Sequence, residues 1–372
     1  MAVGAELQVD LAAIRSNIGW LRRRTDADIL VTVKADGYGH GMAQVGRAAV
    51  ESGASWLGVA FLHEALRLRE AGIYCPILVY IITLQEDLGM AVLAGIDVSV
   101  GAPWGISLAS RAAKDTGRPL RVHLECDSGM SRGGACKGED WVGLLAAARE
   151  AASRGELEIV GIWSHLACAD EPEHPANAQQ LAGYAEALEV ARHVGVVPQI
   201  RHLANSPALI GLPGSHYDLV RPGLAAYGKS PFSYSIEGLV PAMTLRAPVV
   251  DVYRDNSGRR EAGSAILPIG LDGGIFGAAG GLLEVSVRGR RCRVGAPVSM
   301  DRISVQLSGT WVEPGESVVL FGDGRHGTST VHEWAIALNT DPREVLTRLS
   351  PEIPRRYLNV RFPAATEVSM AP

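Results

Sequence analysis

From the N-terminus to about residue 230, short β-branched runs alternate with stretches whose apolar positions fall at helical spacing. Leu11, Ile14, Ile18 and Leu21 recur at i, i+3, i+7 and i+10, the single apolar stripe of a helix that Asp10 is suited to cap. The apolar run at 28–34 then reads as a buried strand, and Met42, Val45 and Ala49 mark one face of the helix after it. Further strand-like runs fall at 56–61, 76–83, 97–100, 121–126, 159–165, 201–205 and 219–221. Eight such runs, most of them far enough apart for a crossover helix, fit an α/β architecture, a (β/α)8 TIM barrel over residues 1–235. Spacing alone does not show closure, so an open sheet stays as the alternative. No GxGxxG follows the first run, which removes the main reason to prefer a dinucleotide fold.

After about Ser235 the pattern changes to strand-like runs at 243–253, 282–287, 292–298, 303–307 and 317–321, separated by Gly, Pro, Asn and Asp turns. Two short helical stretches follow, near 331–338 and 341–349. A smaller, mainly β C-terminal domain is therefore expected over 236–372, with the glycine-rich stretch 271–281 as a mobile loop.

Composition narrows the function. Of 372 residues, 47% are hydrophobic and 20% charged, which suits a chain with a large core. A net charge of −5 and a pI of about 6.1 supply no basic field for nucleic acid or an acidic membrane. The longest apolar run, 76–84, is too short to span a bilayer, and the first ten residues lack the basic and apolar regions of a secretory signal. A cytoplasmic protein is the expectation. The five cysteines form no CxxC, which argues against a disulfide framework or a structural zinc site, and no metal is expected.

Only four lysines occur among the 35 basic residues: Lys34, Lys114, Lys137 and Lys229. Any amine nucleophile has few candidates. In a barrel, chemistry collects at the C-terminal ends of the strands, and these ends carry Lys34, Ser164-His165, Asn205-Ser206 and Arg221. A lysine there can simply mark the strand's solvent boundary. It can also form a Schiff base with a carbonyl cofactor when desolvated, and the glycines after Lys34 let backbone approach a ligand closely. Phosphate sites in barrels often use the loops after strands seven and eight, where Ser206 and the backbone N–H groups near Gly223 and Leu224 would serve. Together these features suggest pyridoxal 5′-phosphate bound through Lys34.

The segment Val33-Lys-Ala-Asp-Gly-Tyr-Gly-His-Gly41 resembles the cofactor-lysine motif of alanine racemases, which are fold-type III pyridoxal-phosphate enzymes. The resemblance continues along most of the chain. His123-Leu-Glu-Cys-Asp-Ser-Gly-Met-Ser-Arg132 is similar to the segment bearing the family's active-site arginine, and Gly161-Ile-Trp-Ser-His165 to its cofactor-stacking histidine segment. Ala204-Asn-Ser206 resembles the phosphate-binding serine, and Val220-Arg-Pro-Gly-Leu224 the strand whose arginine faces the pyridine nitrogen. Ser299-Met-Asp301 resembles a motif that reaches the partner subunit's site, implying a head-to-tail homodimer.

The resemblance implies a role for each matching residue. Lys34 would hold the cofactor and act as base on one face of a small amino acid bound through an external aldimine. Tyr38, Ser206, Gly223 and Leu224 would bind the phosphate beside Asn205. His165 would support the ring and Arg132 would reach the phenolic oxygen, with Met300 and Asp301 completing the site across the dimer. Arg221, which stays protonated, would keep the pyridine nitrogen unprotonated, weakening the electron sink and disfavouring transamination.

Three positions depart from the family. In Leu267-Pro-Ile-Gly-Leu-Asp-Gly-Gly274 the place of the second catalytic tyrosine holds Leu271, which cannot move a proton. Pro351 stands where a phosphate-binding tyrosine is expected, and Glu125 where many members have a carbamylated lysine. Glu125 would supply a permanent negative charge for Arg132 or merely tolerate its position. Three functions remain open: a racemase or epimerase with an altered second base, one-face chemistry such as decarboxylation or an aldol-type C–C reaction, and a cofactor-binding pseudoenzyme. Asp272 or a water would be the substitute proton donor in the first.

Overall fold

The computed structural model describes residues 4–254 and 262–361. They form two compact units, one over Ile14–Pro241 and one that joins residues 4–13 to the chain from Ala242 onward. The strand that places the N-terminus in the second unit is β1 (Glu6–Asp10), whose alternating buried and part-exposed residues were not read as a strand in the sequence. Residues 4–13, expected with the barrel, lie instead in the β unit because β1 pairs with strands from the far end of the chain.

Eight parallel strands make the first unit: β2 (Asp28–Thr32), β3 (Trp56–Val59), β4 (Ile77–Val79), β5 (Asp97–Val100), β6 (Leu120–Glu125), β7 (Leu157–Trp163), β8 (Ile200–His202) and β9 (Leu219–Val220). Their order in the sheet is β8-β7-β6-β5-β4-β3-β2-β9. The gap between β8 and β9 closes through the Asp218 N–H, donating to the Arg201 carbonyl at 3.0 Å, and the Arg221 N–H, donating to the Ala204 carbonyl at 2.8 Å. The TIM-like barrel expected from the eight apolar runs is the observed fold. Every residue of β3, β4 and β5 is buried, as strands covered on both faces require. Helices cover the outside, and the first, Leu11–Arg22, is capped by Asp10, whose carboxylate accepts from the Ala12 N–H at 2.8 Å.

The second unit is mainly β. Its larger sheet runs β14 (Arg290–Arg293), β13 (Glu284–Val287), β16 (Ser317–Phe321), β10 (Met243–Pro248), β1, β17 (Arg355–Leu358), and a smaller sheet runs β11 (Asp251–Arg254), β12 (Ala262–Leu267), β15 (Ile303–Ser308). Leu7, Leu245, Leu267, Val285, Val305, Leu320 and Phe321 lie in its core. The glycine-rich stretch expected to be a mobile loop is a set of hydrogen-bonded turns with Ile275 and Ala279 buried in that core. Among the described residues no helix is long and apolar enough to cross a membrane.

Candidate active site

Lys34 opens a single turn wound the wrong way for L-residues. Ala35, Asp36, Gly37 and Tyr38 have φ of 53°, 52°, 63° and 51°. Left-handed backbone costs roughly 1–2 kcal/mol for each residue with a Cβ, so the surroundings must hold it. The Glu64 carboxylate does so by accepting from the Ala35 N–H at 2.8 Å and from the Ala60 N–H at 2.7 Å. Asp36 accepts from the Met42 N–H at 3.1 Å, starting the next helix. The result is a lysine at the strand's end and a tyrosine turned toward β9.

Around Gly223 the structure gathers a donor set suited to a phosphate. The Ser206 hydroxyl lies 2.9 Å from the Gly223 N–H and 3.3 Å from that of Ala225, rather than from that of Leu224, which begins the short 3-10 turn Leu224–Tyr227. A Cβ on residue 223 would sit 2.6 Å from the Tyr38 hydroxyl, so only glycine leaves room for that phenol. Two hydroxyls and two backbone donors thus meet at one place, and they fit the phosphate end of pyridoxal 5′-phosphate. Asn205 caps the helix Ser206–Gly211 and places its amide 3.4 Å from His165 Nε2.

Arg221, after the last barrel strand, is buried. Its guanidinium donates to the Ser164 carbonyl at 2.7 Å and to His202 Nδ1 at 3.0 Å, lies 3.4 Å from His165 Nδ1, and rests over the Trp163 ring. Behind it a buried chain crosses the barrel. His202 Nε2 lies 2.9 Å from His123 Nδ1, and His123 Nε2 lies 3.2 Å from the Asp97 carboxylate, which also takes Arg121 at 2.9 Å. Burial, then the charge on Arg221, pushes His202 well below the usual histidine range. Since Arg221 can only donate, neutral His202 carries its proton on Nε2 and passes the same polarity through His123 to Asp97. Burial tends to raise the Asp97 carboxyl, but hydrogen bonds from His123 and Arg121 hold it below its ordinary value. The sequence did not reveal this chain.

Arg132 is exposed on the loop after β6. Asp127 shapes that loop by accepting from the N–H groups of Gly129 and Met130 at 2.8 Å each and of Ser131 at 2.9 Å. Burial pushes the Glu125 carboxyl up to about 7, against the pull of Arg132 and Arg221.

Lys34, Tyr38, His165, Asn205, Ser206, Arg221, Gly223 and Leu224 therefore all belong to the ends of barrel strands and the loops that follow them. Met300 and Asp301 belong to the second unit, where Met300 is exposed and Asp301 pairs with Arg302 at 2.8 Å. Leu271 and Asp272 lie against the same turn, their N–H groups donating to the carbonyls of Ser299 and Met300 at 3.1 and 3.0 Å.

The family model for the alanine racemase N-terminal domain matches residues 9–231, and that for the C-terminal domain matches 253–357. An alanine racemase of Thermobifida fusca is 43% identical over 370 residues, covering 96% of this chain and 99% of its own. The alanine racemase structure from Streptomyces lavendulae superposes with a TM-score of 0.92 at 38% identity, over 97% of this chain and 98% of its own. The one from Streptomyces coelicolor also gives 0.92, at 40% identity over 96% and 99%.

Proposed function

Because the chain belongs to the alanine racemase family, whose members depend on pyridoxal 5′-phosphate, we propose that it is a racemase of a small amino acid whose second proton donor is not a tyrosine. The observation that carries the reading is the convergence at the barrel's strand ends of one lysine, a hydroxyl and N–H cluster and a buried arginine. The cofactor, when bound, supplies an electron-withdrawing group that acidifies the α-carbon of the amino acid attached to it.

The protein's part is binding, orientation and proton movement. Lys34 would hold the cofactor and take or return the α-proton on one face. Ser206, Tyr38, Gly223 and Leu224 would hold the phosphate, with Asn205 beside His165. His165 would support the ring and Arg132 would reach its phenolic oxygen. Arg221, always a donor, would face the ring nitrogen and deny it a proton. A second copy of the chain, arranged head to tail, presents Met300 and Asp301 and brings Leu271 where the family has a tyrosine. The proton on that face then comes from Asp272 or a bound water.

The test incubates the cofactor-loaded protein with L- and D-amino acids in D2O and follows α-deuteration, configuration and substrate loss together. Deuterium with inverted configuration is expected, and Lys34→Ala should abolish it along with the visible absorption of the bound cofactor. Deuterium with retained configuration, or carbon–carbon cleavage, would overturn the racemase reading.

A further inference from the structure

A tyrosine that the sequence did not single out enters the same site. Tyr80 follows β4, and its phenol reaches past β3 to β2, where its oxygen lies 3.2 Å from Thr32 Oγ1. The crossing is possible because residue 58 has no side chain: a Cβ there would lie 2.3 Å from the Tyr80 hydroxyl and 2.5 Å from Leu30 Cδ2. The ring packs on the cluster formed by Leu30, Trp56, Leu78, Val160 and Leu219, yet the side chain is only half-buried. Lys34 Nζ lies over that ring, 6.0 Å from its centroid, at the outer reach of a cation–π contact. The Trp163 ring, on which Arg221 rests, lies with its centroid 5.6 Å from that of Tyr80.

The hydrogen bonding leaves capacity unused. Tyr80 and Thr32 each bring one O–H and acceptor lone pairs, and one bond joins them. With Tyr80 donating to Thr32, the phenol oxygen keeps lone pairs for a donor at Lys34. Burial raises the phenol above its ordinary value although Arg221 and Thr32 pull the other way, so it stays protonated. Titratable groups near the pair include Glu64 on the Ala35 N–H, Tyr227 on the Thr32 carbonyl, and Tyr38 stacked at a tilt on Tyr227.

We propose that Tyr80, anchored by Thr32 across the gap at Gly58, is a positioning residue for Lys34, presenting its ring face and phenol oxygen to the lysine nitrogen and favouring its protonated form. The inference rests on Lys34 holding the cofactor. It makes the strand-end site of this chain polar on the lysine's own side, where the proton inventory matters most if the other face has lost its tyrosine.

The experiment uses the cofactor-loaded protein and hydroxylamine, which strips the cofactor from Lys34 fastest when that nitrogen is protonated. Comparing variants at each pH cancels the reagent's own titration. Tyr80→Phe keeps the ring and should move the pH of half-maximal stripping down by at least half a unit. Gly58→Ala, which displaces the phenol without altering it, should do the same, and Thr32→Val should move it less in the same direction. A packing role alone would lower the melting temperature and leave that pH in place. Unchanged half-maximal pH in both Tyr80→Phe and Gly58→Ala overturns the proposal. If the wild-type protein shows no Lys34-dependent absorption at all, the proposed function has failed instead.

Discussion

The strand ends of the barrel and the turns of the second unit at 267–275 and 299–301 are both invoked for catalysis, and they are built differently. At the strand ends polar groups hold one another: Arg221 is fixed by Ser164, His202 and Trp163, Ser206 by Gly223 and Ala225, and the lysine turn by Glu64. In the second unit the backbone is just as firmly set, with Leu271 and Asp272 bonded to Ser299 and Met300, but the polar side chain of Asp272 is exposed. Met300 is 66% exposed and Asp301 turns back to its own neighbour Arg302. A preorganised site needs its polar groups held before substrate arrives. The barrel meets that condition within one chain, whereas the second unit offers a rigid presenting surface whose chemistry depends on what faces it.

Restoring a tyrosine to the presenting surface is the sharpest way to break this contrast. If the turn at 271 is a rigid platform lacking only a proton donor, Leu271→Tyr should raise the inversion rate by roughly 10²–10⁴, the usual contribution of one positioned acid–base group. Chiral analysis of product from single enantiomers in D2O measures it. No gain would show that the platform does not face a substrate, or that Asp272 or water already does the work.

The contrast also explains what could be read from the sequence. Buried parallel strands announce themselves as continuous apolar runs, so all eight barrel strands, and with them the strand-end residues Lys34, His165, Ser206 and Arg221, were legible. Strand β17, with the sequence Arg355-Arg-Tyr-Leu358, has no such signature and exists because β1, nearly 350 residues earlier, lies beside it. Likewise His123 and His202 are 79 residues apart and look like unrelated polar interruptions until barrel closure joins them. Gly58 read as an ordinary strand residue, and only the fold shows that its missing side chain lets Tyr80 through. Local pattern reveals elements and the residues at their ends. Partnerships between elements, which position those residues, depend on closure.

Cutting the buried chain tests whether the barrel site is preorganised in the way its geometry implies. His202→Leu removes the acceptor of Arg221 Nη1 and leaves His123 without its donor. Losing a buried hydrogen bond to a charged group costs roughly 1.5–3 kcal/mol. If that loss falls on Arg221's placement, cofactor affinity should weaken by about 10- to 100-fold, measured by titrating the apo-protein with pyridoxal 5′-phosphate. A fall in melting temperature with unchanged affinity would make the chain a fold element alone.

The smallest effect concerns Glu125, a carboxyl near the strand ends that is held in the wrong direction for a permanent charge. Its folded-state value of about 7 lies above the ordinary 4.5, because burial outweighs Arg132 and Arg221. A raised carboxyl means that the folded state binds the proton more tightly than the unfolded chain. The associated stability is present below about 4.5 and is lost as pH rises to about 7, each unit of displacement being worth roughly 1.4 kcal/mol. Above that value Glu125 is ionised beside Arg132, so the charge useful to the site exists only where it costs the fold most. Glu125→Gln should therefore flatten the stability profile between those limits, read from melting temperatures across pH. It should also remove an ionisation near 7 from the pH–rate profile, with a modest loss of rate on the alkaline side, where the wild-type carboxylate would have held Arg132. If the rate profile keeps that ionisation while the stability profile flattens, Glu125 is a buried acid of the barrel and the group titrating in catalysis lies elsewhere.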